Sequence, residues 1–254
     1  MKLLINADDF GLSRGQNYGI IDCFTNGVVR STTLLSTGNE FEHACTLAKN
    51  NPSLDLGIHL SLDLGKPILD KKKIPSLVNQ EGDFKRYPLE LNEIVVNEIE
   101  VYLEWRAQIE KALEAGLNPT HMDSHHHIHM MHNLFPIYIQ LASEFQLAIR
   151  FHPRKWTQKE IAESHFLLEK VVFAKGFINS FYAKNITSAF FEELDETNPN
   201  IYEMMCHPAY LDQWILGNSS YNIERGIEAE TLQSEETKRI LNEKKIEVIS
   251  FNQL

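Results

Sequence analysis

Short apolar runs closed by polar residues alternate with amphipathic stretches along the whole chain. Residues 2–8 (KLLINAD) read as a buried strand, and residues 16–25 as a helix that Gly27 can end. Residues 31–37 (STTLLST) predict a second strand. Residues 41–50 predict a helix stopped by Asn51-Pro52, and residues 54–62 (LDLGIHLSL) a third strand. Residues 63–88 show Gly, Pro and charge clusters without a period. They predict an excursion suited to a lid or an oligomer contact, with Lys71, Lys72 and Lys73 as a solvated tip. Ile94, Val95, Tyr102, Trp105, Ile109 and Leu113 then mark one face of a long helix that Gly116 ends. Residues 120–124 (THMDS) predict a short strand, 134–145 a helix and 147–151 (LAIRF) a strand. Residues 166–179 fit helix or strand. Residues 201–207 (IYEMMCH) are a strand, 228–243 an amphipathic helix and 246–251 (IEVISF) a last strand.

Such alternation argues for the α/β class, with a parallel sheet and helices outside it. About seven strands without a linker-like stretch favour a single domain over residues 1–254, built as a distorted (β/α) TIM-like barrel. No repeat or low-complexity segment interrupts it.

Composition narrows the partners. The 254 residues are 43% hydrophobic and 23% charged, enough apolar material for a sizeable core. With 24 Lys+Arg against 35 Asp+Glu, the net charge of −11 disfavours nucleic acid and anionic membrane. Cys23, Cys45 and Cys206 are too few and too scattered for a disulfide framework, so buried reduced thiols are expected. The start MKLLINADDFG does not resemble a signal peptide, and no run of 18 apolar residues occurs. A cytoplasmic protein is the expectation.

In parallel α/β folds ligands gather at the carboxyl ends of the strands. The strands predicted here end in Asp8-Asp9, His59, Asp123-Ser124-His125, Arg150 and His207, five ionisable clusters on one rim. Six of the 11 histidines fall in THMDSHHHIHMMH, residues 120–132. The run is internal and framed by a strand and a helix, which argues against a disordered tract. Buried imidazoles need partners, and metal binding by at least one of them follows. Alternation along an extended segment puts His121, Asp123 and His125 on one side. Asp8 and Asp9 cannot both face one point without a bend. One suits a cation and the other a base, although a turn or helix cap also favours Asp. Pro208 takes the chain out of its strand, which makes His207 a rim residue.

NADDFGLSRGQNYGI, STTLLSTG, LGIHLSLDLGKP, PTHMDSHHHIHM and EMMCHPAY, taken together and in this order, resemble the YdjC-like carbohydrate deacetylases, whose members include chitooligosaccharide deacetylases. The resemblance covers residues 5–210 and thins over 63–118 and 152–200. It implies a distorted (β/α) barrel and one divalent metal held by Asp9, His59 and His125. It also implies magnesium as that metal. Imidazole ligands suit Zn2+ or another transition metal better, so the metal stays open.

The reaction implied is hydrolysis of the N-acetyl amide of a small amino sugar or chitooligosaccharide, with or without a 6-phosphate. Asp8 is the expected general base, and His207 the expected acid, with His127 or His129 next in line. Arg150 is expected to pair with Asp8. Two rival readings remain at this point. One is a phosphoesterase with a second metal at His121, Asp123 and His127, and the other is a sugar- or metal-binding protein without turnover. A homodimer is left open.

Overall fold

The computed structural model describes residues 1–87, 93–153 and 156–254. The chain runs β1 (Lys2–Phe10), α1 (Arg14–Thr25), β2 (Ser31–Leu34), α2 (Phe41–Asn50), β3 (Asp55–Leu60) and α3 (Glu98–Glu114). It continues through β4 (His121–Ser124), α4 (Phe135–Phe145), β5 (Ala148–Ile149), α5 (Gln158–Leu168) and β6 (Gly176–Ile178). It closes with β7 (Ile201–Cys206), α6 (Gln213–Asn218), α7 (Ile223–Gln233), α8 (Glu235–Glu243) and β8 (Glu247–Ile249). The expected α/β class is present, and its strand–helix alternation is that of a distorted TIM-like barrel. Among the described residues no helix is long and apolar enough to cross a membrane.

Two compact units divide the chain: residues 1–34, 38–56 and 174–254, and residues 35–37 and 57–173. In the first unit β1 is the central strand. It pairs in parallel with β7 along one side, and with β8 and then β2 along the other, while β6 pairs with β7. A strand covered on both faces needs apolar residues on both, which is why Leu3, Leu4 and Ile5 form a continuous buried run. The strand continues past Asp8 to Phe10. The β1–β2 register shifts between Ala7 and Phe10, and Asp9 there takes a left-handed backbone at φ +69°. Asp tolerates that region better than most residues, and the irregularity is the bend that two adjacent carboxylates require. Cys23, Cys45 and Cys206 are buried, as expected.

In the second unit β3, β4 and β5 pair in parallel, with His59 opposite Asp123 and His121 opposite Ala148. Gly57 admits the His121 ring, since a Cβ there would lie 2.5 Å from its Cδ2. Among the described residues, the segment after β3 is an excursion of turns with an antiparallel bridge, Val78 to Phe84, and Lys71 to Lys73 are its exposed tip. Its expected end at Pro88 lies outside the described residues.

α3 begins only at Glu98, which leaves Ile94 and Val95 outside the helix. Its buried face holds Val101, Glu104, Trp105, Gln108, Ile109 and Ala112, while Leu113 is exposed. Polar groups belong on that face because they bind loop backbone. Glu104 accepts the amides of Ile68 and Leu69 at 2.9 and 3.0 Å, and Gln108 exchanges two bonds with Ser61. The single helix expected over 228–243 is two, divided at Ser234, whose hydroxyl caps α8. Residues 166–179 contain the end of α5 and then β6, so the segment carries both structures.

Replacing Glu104 by Leu leaves two amides of the excursion without an acceptor. Urea denaturation should show a loss of roughly 2–4 kcal/mol against the parent protein. A loss under about 0.5 kcal/mol would mean that α3 does not anchor the excursion.

Candidate active site

The first unit gathers Asp8, Asp9, His207, Arg225 and Glu228 at the ends of β1 and β7 and on α7. Asp8 is buried, and its Oδ1 accepts the Asn6 side-chain amide at 2.9 Å. Its Oδ2 lies 3.9 Å from His207 Nε2. On the other side of that imidazole, Nδ1 is 3.9 Å from Glu228 Oε1, and Glu228 also accepts the His207 backbone amide. His207 therefore stands between two carboxylates. Asp9 Oδ2 is 2.9 Å from Arg225 Nη2, a buried ion pair. The same guanidinium donates to Gln16 Oε1 at 2.8 Å, and Gln16 donates to the Asp8 carbonyl at 3.1 Å. α1 thus buries polar side chains to hold the bend in β1.

Arg225, Glu228 and Tyr221 were not expected. The signal was present in NIERGIEAETL: Arg225, Glu228, Ala229 and Leu232 fall on one helical face, so two charges occupy apolar positions.

The second unit sets His59, Asp123 and Arg150 in a line. His59 Nδ1 donates to Asp123 Oδ1 at 2.6 Å, and Arg150 Nη1 is 2.8 Å from Asp123 Oδ2. All three are buried. A carboxylate can only accept here, so the proton sits on Nδ1 and Nε2 keeps its lone pair for a cation. The His125 ring packs edge-on to His59, with 5.7 Å between centroids.

His126 and His127 both take left-handed backbone, at φ +53° and +55°, which turns the histidine run immediately after His125. The six histidines are accordingly dispersed. His121 Nδ1 lies 2.8 Å from Thr120 Oγ1 and His126 Nδ1 2.6 Å from Asp63 Oδ2, while His132 lies 3.5 Å from Glu160. Burial raises the Asp63 carboxyl, but the His126 bond and the electrostatic effect of the neighbouring His125 and His126 outweigh it and leave it below the usual range. Asp63, His125 and His126 form a carboxylate–imidazole cluster with ligating atoms within 4.8 Å of one another. Burial and the Arg150 charge hold His129 well below the usual histidine range. It is neutral and a poor proton donor.

With this geometry in place the comparisons are decisive. The model of the family described as YdjC-like protein matches residues 2–243. The chain belongs to the YdjC-like family. A carbohydrate deacetylase of Clostridium beijerinckii is 40% identical, with all of both chains covered. Another, of Brevibacillus brevis, is 39% identical with the same coverage. A solved structure from Enterococcus faecalis V583, provisionally described as a cellobiose-phosphate cleavage protein, is 35% identical. It has a TM-score of 0.91 and covers 99% of this chain and 98% of its own. The full-length match places the residues described above within the family's own span.

Asp123 sets the tautomer of His59, so Asp123→Asn should weaken divalent-cation binding about 10–100-fold in calorimetric titration. Unchanged affinity would show that Asp123 only braces the strand.

Proposed function

We propose that this protein hydrolyses the N-acetyl amide of an amino sugar, releasing acetate and a free amine, with one divalent cation held by Asp9, His59 and His125. The observation that carries the reading is the His59–Asp123–Arg150 line, which fixes an imidazole in its cation-binding tautomer inside a chain matched over its full length by carbohydrate deacetylases. One carboxylate and two imidazoles fit Zn2+ or another transition metal well and Mg2+ less well, although the family resemblance favours magnesium. A bound cation supplies Lewis-acid polarisation of the acetyl carbonyl and a more acidic water.

The chain's own groups do the proton transfers. Asp8, oriented by Asn6, takes the proton of the attacking water at Oδ2. Arg225 keeps Asp9 charged, so the two adjacent carboxylates have separate tasks. His207 gives a proton to the departing nitrogen, without which an amine anion would have to leave. Glu228 holds the His207 backbone in place. The substrate class is a small N-acetylated mono- or oligosaccharide, and a chitooligosaccharide is the first candidate.

Acetate release from a panel of N-acetylated sugars, with and without a 6-phosphate and across several divalent metals, tests the reaction directly. Failure with every sugar and metal would overturn it. Asp8→Asn should lower turnover roughly 10²–10⁴-fold with the cation still bound. Near-normal turnover in that variant would remove Asp8 from the mechanism. His207→Ala should likewise lower turnover roughly 10²–10⁴-fold with the cation still bound. Near-normal turnover in the His207 variant would place the acid elsewhere.

A further inference from the structure

We propose that Tyr182 and Tyr221 form a stacking platform for a pyranose ring of the substrate, beside His207. The inference rests on the deacetylase reading and adds a binding subsite to it. The two rings lie 4.2 Å apart between centroids and 4° from coplanar. Both meet the His207 ring nearly edge-on, at 6.3 Å from Tyr182 and 5.7 Å from Tyr221. Three aromatic groups from the β6 loop, the end of β7 and the start of α7 therefore make one wall.

Tyr221 is fixed within that wall. Its hydroxyl donates to Glu228 Oε1 at 2.5 Å and accepts the Ala183 amide at 3.4 Å. Burial, and then the Glu228 charge, push this phenol far above its ordinary range, so it remains a donor. The Arg225 guanidinium lies 5.8 Å from the Tyr221 centroid. Tyr182 is placed by backbone. Ala183 takes a left-handed conformation at φ +52°, and the Asn185 amide donates to the Tyr182 carbonyl at 3.1 Å. With one face against Tyr221, Tyr182 is still 41% exposed. Among the rings of the described residues, only Tyr221 and His207 touch it.

A single exposed aromatic side chain is ordinary. Here the exposed ring is fixed, flat and next to the group that protonates the leaving nitrogen. A pyranose presents an apolar C–H face and a polar rim of hydroxyls. A tyrosine ring with its hydroxyl at the wet edge matches both, and such rings commonly line small-molecule sites. The platform thus binds the sugar while leaving the amide free to reach Asp8 and His207.

The test compares wild type, Tyr182→Ala and Tyr182→Phe, with circular dichroism to confirm folding. With N,N′-diacetylchitobiose, Tyr182→Ala should raise KM about tenfold and change kcat less than about threefold, and Tyr182→Phe, which keeps the ring, should restore KM. Calorimetry of the same sugar on metal-free protein should show a matching rise of about tenfold in Kd. If wild type releases no acetate from any sugar, the deacetylase reading fails, and the calorimetric comparison still decides the platform. Equal KM and equal Kd in folded Tyr182→Ala, or no binding of the sugar by wild type, would overturn the platform.

Discussion

Asp8, Asp9 and Asp123 are almost wholly withdrawn from water, and a buried carboxylate is tolerated only where its charge is answered. Much of the local architecture around the candidate site meets that demand. Asp123 lies between Arg150 and His59, which fixes an imidazole tautomer as a by-product of neutralising the acid. Asp9 is answered by Arg225, and Arg225 is in turn held by Gln16 and the Tyr221 carbonyl. Asp8 receives the Asn6 amide and faces His207. Each functional group is thus oriented by the interaction that makes its burial possible.

The same demand explains the backbone. Asp8 and Asp9 are consecutive in a strand whose other residues form the core, so a regular pleat would send them to opposite faces. The irregular register and the left-handed Asp9 release them from that alternation. Two left-handed histidines do the same after His125.

The parallel α/β class was legible because β1, β3 and β7 carry apolar runs, and Asp9, His59 and His125 were named as candidate ligands through the resemblance of their motifs to the family's. Boundaries were less legible where tertiary contacts decide them. β5 is only Ala148–Ile149, and β6 only Gly176–Ile178, too short for any period to show. The break at Ser234 depends on a cap within an otherwise amphipathic stretch. The apolar pattern does not mark Glu104 and Gln108 as buried, because the backbone groups they satisfy come from an excursion with no pattern of its own. Arg225, Glu228 and Tyr221 are far from the histidine motif in sequence, and no motif singled them out. Alternation already separated His121 and His125 from the other histidines, but the turns at His126 and His127 are not encoded in their spacing.

The central claim is that one cation is held by Asp9, His59 and His125. A crystal structure of the protein loaded with zinc or manganese, with anomalous scattering to locate the ion, tests it most directly. The account predicts one ion per chain with an Asp9 oxygen and one nitrogen each from His59 and His125 at about 2.0–2.3 Å. An ion bound elsewhere, at Asp63 and His126 for instance, with Asp9 still paired to Arg225 and away from the metal, would contradict it.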